Sequence, residues 1–300
     1  MFDLRYHVAS LAAVFLMLVV GILIGVGISG RGFVDDAERK QLEGKIEGLQ
    51  GEVDAANANA DDFELRQQAA EDFVESAYPV LAAKRLEGKK IAILVLGPVD
   101  ASVSAIERAV EEDGGGRVAR MRSLVLPLRL DAVAAAVSAE PEFGGYVGDG
   151  QLGNLGRDLG RELVSGGETP LWDALESELV EVRVGGLADP VDGVIVMRTA
   201  EPQAGESSRF LAGIYQGLGS AGVPVVGVEP SSVDQSGVEQ SAIPAFQRHR
   251  LSTVDGIDTP VGALAVLLVL ADLDAAGDYG VRDTADRILP PIEPLAASGG

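Results

Sequence analysis

The longest apolar stretch of the chain, Val8–Gly30 (VASLAAVFLMLVVGILIGVGISG), carries no charged side chain. As a helix rising 1.5 Å per residue it covers roughly 30 Å, the thickness of a bilayer's hydrocarbon core, and a helix is the one open segment that satisfies its own N–H and C=O groups there. A cleaved signal peptide is the competing assignment, because the run starts close to the N-terminus and closes on Gly27-Ile28-Ser29-Gly30. Its apolar part outlasts the roughly 7–15 residues of a cleaved h-region, and Ile28 stands in the middle of the best small-residue triplet. The pattern therefore predicts an uncleaved anchor spanning Val8–Ile28. Arg31, Arg39, Lys40 and Lys45 follow the span, while Arg5 beside Asp3 precedes it. Long domains translocate largely regardless of such charges, so the expected topology keeps the N-terminus in the cytoplasm and places the remainder outside, in a cell membrane or envelope. Gly21 and Gly25 form a G-x-x-x-G pair on one helix face, where two anchors could approach closely. The plainer reading is that glycine is common in membrane helices.

Beyond Arg31 the pattern turns polar, and apolar positions recur at alternating steps of four and three: Leu42, Ile46, Leu49, Val53, Ala56, Ala60 and Phe63, then, past Gln67, Ala70, Val74 and Ala77. A period of 3.5 residues marks a coiled-coil seam, here with one polar intruder, Gln67. Glu43, Lys45, Gln50 and Glu52 flank it, where charges select a partner. Gly44, Gly48 and Gly51 lie off the seam, and each costs roughly 1 kcal/mol of helix propensity. The helix is thus expected to depend on a partner, as a homodimer or a hetero-coiled coil; packing on its own domain is the alternative. Tyr78-Pro79 is expected to interrupt the seam.

The period then changes again. Ile91–Leu96 (IAILVL) is a continuous apolar run of the kind buried on both faces of a parallel sheet. Gly97-Pro98 turns the chain, Asp100 can cap a helix with the stripe Val103, Ile106 and Val110, and Gly114-Gly115-Gly116 ends it before a strand at Arg117–Val125. Helices are predicted at Asp131–Ala139, Leu155–Val164 and Leu171–Val180. Then come a strand at Val194–Met197, a helix through Phe210, Ile214 and Leu218, strands at Val223–Val228 and Leu251–Val254, and a Ser-rich loop from Ser231. A buried helix, Val261–Leu270, follows, with Thr259 as its cap and Pro260 at its first position. This alternation predicts a mostly parallel, Rossmann/flavodoxin-like α/β domain. The organisation reads as a tail and transmembrane anchor over 1–30, a coiled coil over 31–78, an α/β domain over 79–289 and a flexible tail over 290–300.

Composition narrows the chemistry. A net charge of −22 would repel nucleic acid and anionic headgroups alike. The chain has no cysteine, two histidines and four methionines, which removes thiolate sites and most imidazole arrangements. Gly148-Asp149-Gly150-Gln151-Leu152-Gly153 matches G-x-G-x-x-G, but no buried strand precedes it and the first βα turn, Gly97-Pro98-Val99-Asp100, has no glycine trio. His249 lies between Arg248 and Arg250, which would hold its pKa down, and reads as a surface residue. Asp272, Asp274 and Asp278 read as a solvated helix end rather than a cation loop. These residues assign no catalytic, metal or cofactor-binding role, and the protein is expected not to be an enzyme.

The two ends together resemble a known family. FDLRYHVASLAAVFLMLVVGILIGVGI at the N-terminus and TVDGIDTPVGALAVLLVLADLDAAGDYG at Thr253–Gly280 look like the actinobacterial MctB family, named for mycobacterial copper transport protein B and including the corynebacterial envelope protein SteB. The resemblance implies a role in copper transport, with an outer-membrane location attached to the family. It equally implies a SteB-like, non-enzymatic scaffold that acts with a SteA-like membrane protein to control peptidoglycan hydrolysis at cell separation. Cu(I) prefers thiolates or thioethers and Cu(II) imidazoles, yet Met1, Met17, Met121 and Met197 fall in the tail, the anchor and two predicted strands. Copper is thus implied by the resemblance alone.

Overall fold

The computed structural model describes residues 4–29, 33–148, 150–186, 188–232 and 241–294. Gly30 and Arg31 after the span, Asp149 of the glycine-rich match, most of the Ser-rich loop and the end of the expected tail from residue 295 lie outside the described residues. The chain divides into two compact units, Met1–Ala70 and Glu71–Gly300.

The first unit is helical. Helix α1 covers Leu4–Ser29, and its Ser10–Gly27 window is long and apolar enough to cross a membrane, with none of it buried within the protein. Helix α2 covers Phe33–Ala82, so its first part belongs to this unit and its last three turns to the second. It continues through Tyr78-Pro79, where the sequence pattern predicts a break. A proline inside a helix loses one N–H bond and crowds the preceding turn, but Pro79 sits within the final turn, where few bonds remain to be lost. Local packing holds that turn: Ala82 is buried, and the Tyr78 hydroxyl donates to Asp113 Oδ2 at 2.6 Å.

The second unit is a sheet covered on both faces. Its strands are β1 (Lys90–Leu96), β2 (Arg117–Leu124), β3 (Val180–Val184), β4 (Gly193–Arg198), β5 (Val225–Glu229), β6 (Ser252–Asp255) and β7 (Asp278–Tyr279). Their spatial order is β3-β2-β1-β4-β5-β6-β7, parallel throughout except for β3, which pairs antiparallel with β2. The mostly parallel α/β architecture predicted from the alternation is what the chain adopts. Strand β3 and the short β7 were not predicted. Val180 closes the predicted helix Leu171–Val180, whereas helix α6 ends at Leu179 and β3 begins on the next residue. With no loop between them the change of period has no punctuation, and only the pairing with β2 fixes it.

One face of the sheet, through Ala92, Leu94, Val194 and Val196, packs under α4 (Leu130–Ala139), α5 (Leu152–Ser165), α6 (Pro170–Leu179), α7 (Gly205–Gly219) and α8 (Ile243–Arg248). The other face, through Ile93, Val95, Ile195 and Val226, packs under α3 (Ala101–Glu107), the π-helical turn Arg108–Asp113, the end of α2 and α9 (Pro260–Ala271). Helix α9 is the buried core helix its composition predicts. Val261 is the first residue after Pro260, every position from Gly262 to Leu270 is buried, and the Thr259 hydroxyl accepts from Gly262 N at 3.1 Å as its cap.

Helices α5 and α7 meet backbone to backbone. A Cβ on Gly213 would stand 2.1 Å from the Gly153 carbonyl oxygen, and one on Gly217 would stand 2.0 Å from that of Arg157. Gly156 and Gly160 face the Phe210 and Ile214 carbonyls in the same way. The carbonyl of Gly153, the third glycine of the G-x-G-x-x-G match, is thus what Gly213 makes room for, and the match follows a 3-10 turn, Pro141–Tyr146, not a strand. Alanine at Gly213 or Gly217 should cost about 1–3 kcal/mol by overpacking, read as a lowered denaturation midpoint. Alanine at Gly145, which has open space around it, should stay within about 0.5 kcal/mol of the parent.

Candidate functional site: the carboxyl edge of the sheet and the exposed seam

Open α/β sheets bind ligands at the carboxyl ends of their strands, where the strand order reverses. Here that reversal lies between β1 and β4, and the chain itself fills the crevice. Leu96 O accepts from Thr199 N at 3.1 Å and Ala200 N at 3.0 Å, Thr199 Oγ1 donates to Pro98 O at 2.7 Å, and Ser123 Oγ donates to Gly97 O at 2.7 Å. Gly97 sits at φ +125° with Ala200 N only 2.6 Å from where a Cβ would be, a conformation and closeness that glycine alone tolerates. Asp100 caps α3 through Ser102 N at 2.9 Å. A phosphate cradle needs backbone N–H groups aimed into open space, and the Thr199 and Ala200 N–H groups are bonded to the chain.

Farther along the same edge the polar groups are dense but mutually satisfied. Glu229, at the end of β5 and 2% exposed, accepts from Ser241 Oγ, from Ala242 N at 3.1 Å and from the Arg282 guanidinium. Asp255, at the end of β6, accepts from Val281 N at 3.0 Å and Arg282 N at 3.1 Å. Arg282 also donates to Pro230 O and Ser231 O. Burial pushes the Asp258 carboxyl pKa up, but hydrogen bonds from Ser231 N and Oγ, both 2.6 Å, outweigh it and hold the pKa below the usual range. This cluster is a clamp that fastens the segment after β7 to the sheet. The sequence pattern missed it, as it missed the buried arginines of β2. Arg120 donates to Leu163 O at the end of α5 and to Asp189 O, while Arg122 donates to Val184 O and has its Nε 2.8 Å from Glu176. Two arginines two residues apart in a strand flanked by apolar ones were the available signal.

Potential copper ligands are dispersed. Met121 and Met197 flank β1, opposite Ile93 and Val95 respectively, and both are buried in the core of one face. Met17 lies exposed on α1. Among the described residues no three His, Asp or Glu side chains gather as a metal would require. His249 differs from the surface residue expected of it. It is half-buried with its ring 5.4 Å from that of Tyr215, and burial lowers its pKa first, with Arg248 adding to the effect.

The predicted interface residues stand unpartnered in the single chain. Leu42, Ile46, Leu49, Val53 and Phe63 are 53–69% exposed, and Ala56 is exposed beside them. Gly21 and Gly25 have nothing within 4 Å. An apolar helix long enough to span a bilayer, a helix with an open apolar stripe and a mostly parallel α/β domain define a membrane-associated α/β protein. The model of the family described as "Copper transport outer membrane protein, MctB" matches residues 1–290, and the chain belongs to that family. The proteins named "Copper transporter MctB" in Mycobacterium tuberculosis H37Rv and in Mycobacterium bovis are each 24% identical to it over 306 residues, covering 93% of this chain and 95% of theirs.

The clamp yields a stability prediction. Arg282→Met removes the cation from buried Glu229 and should cost about 3–5 kcal/mol, the range for breaking a buried pair on one side. Adding Glu229→Gln should recover part of that loss. Both effects are read from denaturant midpoints.

Proposed function

We propose that this protein acts in copper transport at a membrane, and that it does so as an anchored assembly rather than through a copper site in its α/β domain. The observation that carries this reading is the family match across anchor, long helix and domain in one continuous stretch. The assembly part is supported by the seam at Leu42, Ile46, Leu49, Val53, Ala56 and Phe63, whose exposed apolar side chains gain by covering one another. A membrane holds anchors in one direction, which favours a parallel dimer or a parallel pairing with another anchored protein. The Gly21 and Gly25 face is where two anchors would pack.

The domain's part is non-enzymatic on this reading, since its switch-point crevice is filled by Gly97, Thr199 and Ala200. The anchor keeps its N-terminus in the cytoplasm and carries the α/β domain outside. The exposed stripe also favours a second reading, a scaffold that recruits a SteA-like partner to control peptidoglycan hydrolysis.

Three measurements test these statements. Protease added to intact spheroplasts should digest the α/β domain; protection until lysis would place it in the cytoplasm. Ile46→Asp with Val53→Asp should shift the detergent-solubilised protein to a smaller species in sedimentation, because an unpaired charge in a buried seam costs several kcal/mol; an unchanged mass refutes the seam. In cells, Met121→Leu, Met197→Leu and His249→Gln together should leave copper accumulation normal, while the seam variant raises it. Raised copper in the ligand variant would return copper binding to the domain. Abnormal septa with normal copper in the seam variant would select the scaffold.

A further inference from the structure

Between α7 and α8, beside the loop that leaves β4, lies a cavity of about 110 Å³. Its polar lining is Arg198, Gln203, Ser208, Tyr215, Arg248 and His249, with Leu211, Ala212 and other small apolar side chains between them and no carboxylate among the lining residues. Two guanidinium groups and an imidazole thus meet in one recess of a chain whose net charge is −22. Arg198 ends β4 and so stands at the carboxyl edge, the side on which such sheets bind ligands. It is half-buried, with burial lowering its pKa against the opposing influence of Tyr215, Glu229 and Glu201. Burial keeps the Tyr215 phenol protonated, hence a donor, and its ring is set edge-on to Phe246 at 5.3 Å and beside His249 at 5.4 Å. Arg248 is exposed and has no ion pair among the described residues.

We propose that this cavity binds a phosphate-type dianion, either free phosphate or the terminal group of a phosphate monoester. The volume suits one tetrahedral oxyanion with accompanying water. Guanidinium forks match its oxygens in pairs, Ser208, Gln203 and Tyr215 offer hydroxyl and amide donors, and His249 can supply a further N–H. The two guanidinium groups of the lining repel a copper cation, so the proposal does not rest on the copper reading.

The test is calorimetric titration of the full-length protein in detergent, at low ionic strength, with inorganic phosphate in one arm and glucose 1-phosphate in the other. Saturable binding at one site per chain is expected. Arg248→Gln and His249→Gln should each weaken it about ten-fold or more, Arg248→Lys should recover part of the loss, and Arg209→Gln, on the exposed face of α7 and outside the lining, should change nothing. Arg198→Gln is read only if its thermal unfolding matches the parent; Arg248 is exposed, so its variants carry the test regardless. Tighter binding of the ester assigns the site to a phosphorylated molecule, and equal binding assigns it to free phosphate. No saturable binding at millimolar phosphate, or equal weakening by Arg209→Gln, overturns the proposal.

Discussion

Apart from Lys90 and Arg198, their partly exposed ends, the central strands β1 and β4 have no side that water can touch. Ala92, Leu94 and Leu96 point to one face and Ile91, Ile93 and Val95 to the other, all fully buried, and β4 repeats the pattern. Such a sheet is stable only if helices cover both faces. The alternating order of strands and helices supplies that cover, and α9 can be apolar nearly all round because it lies between the sheet and further chain. At roughly 25 cal/mol per Å² of apolar surface removed from water, this double burial is the main favourable term, and the other features are adjustments to it.

Two of those adjustments replace side chains by backbone. Where α7 must lie close to both the sheet and α5, the glycines at 213 and 217 let the helices touch directly. Where the loops after β1 and β4 converge, Gly97 lets them close over the switch point. Other proteins of this architecture keep such places open for ligands. Here the chain's own groups fill that crevice, and the Glu229, Asp255 and Arg282 clamp occupies the carboxyl edge farther along, with the Arg198 cavity beside it.

Outside the sheet, α1 and α2 carry long runs of exposed apolar side chains. An apolar helix is tolerated without a protein partner only in lipid, and a helix with a heptad stripe only against another helix or a domain. That division fits a family whose members carry a transporter's name while the α/β domain of this chain displays no gathered copper ligands among the described residues.

By itself the sequence determined everything that depends on local period. The unbroken apolar run of α1, the 3.5-residue stripe of α2, the strands at Ile91–Leu96 and Val194–Met197 and the capped helix after Thr259 each carry their signal within one segment. The end motifs sufficed for the family. Tertiary structure decided what depends on segments far apart in the chain. It turned Val180–Val184 into an antiparallel edge, carried α2 past Pro79, and set the end of a nucleotide-like motif against Gly213 of α7. It also buried Arg120 and Arg122 on carbonyl partners and drew Arg198, Arg248 and His249 into one cavity. The physical reason is the same each time. A hydrogen-bond acceptor, a facing carbonyl or a neighbouring charge contributed from a distant part of the chain leaves no periodic mark on the residues that will meet it.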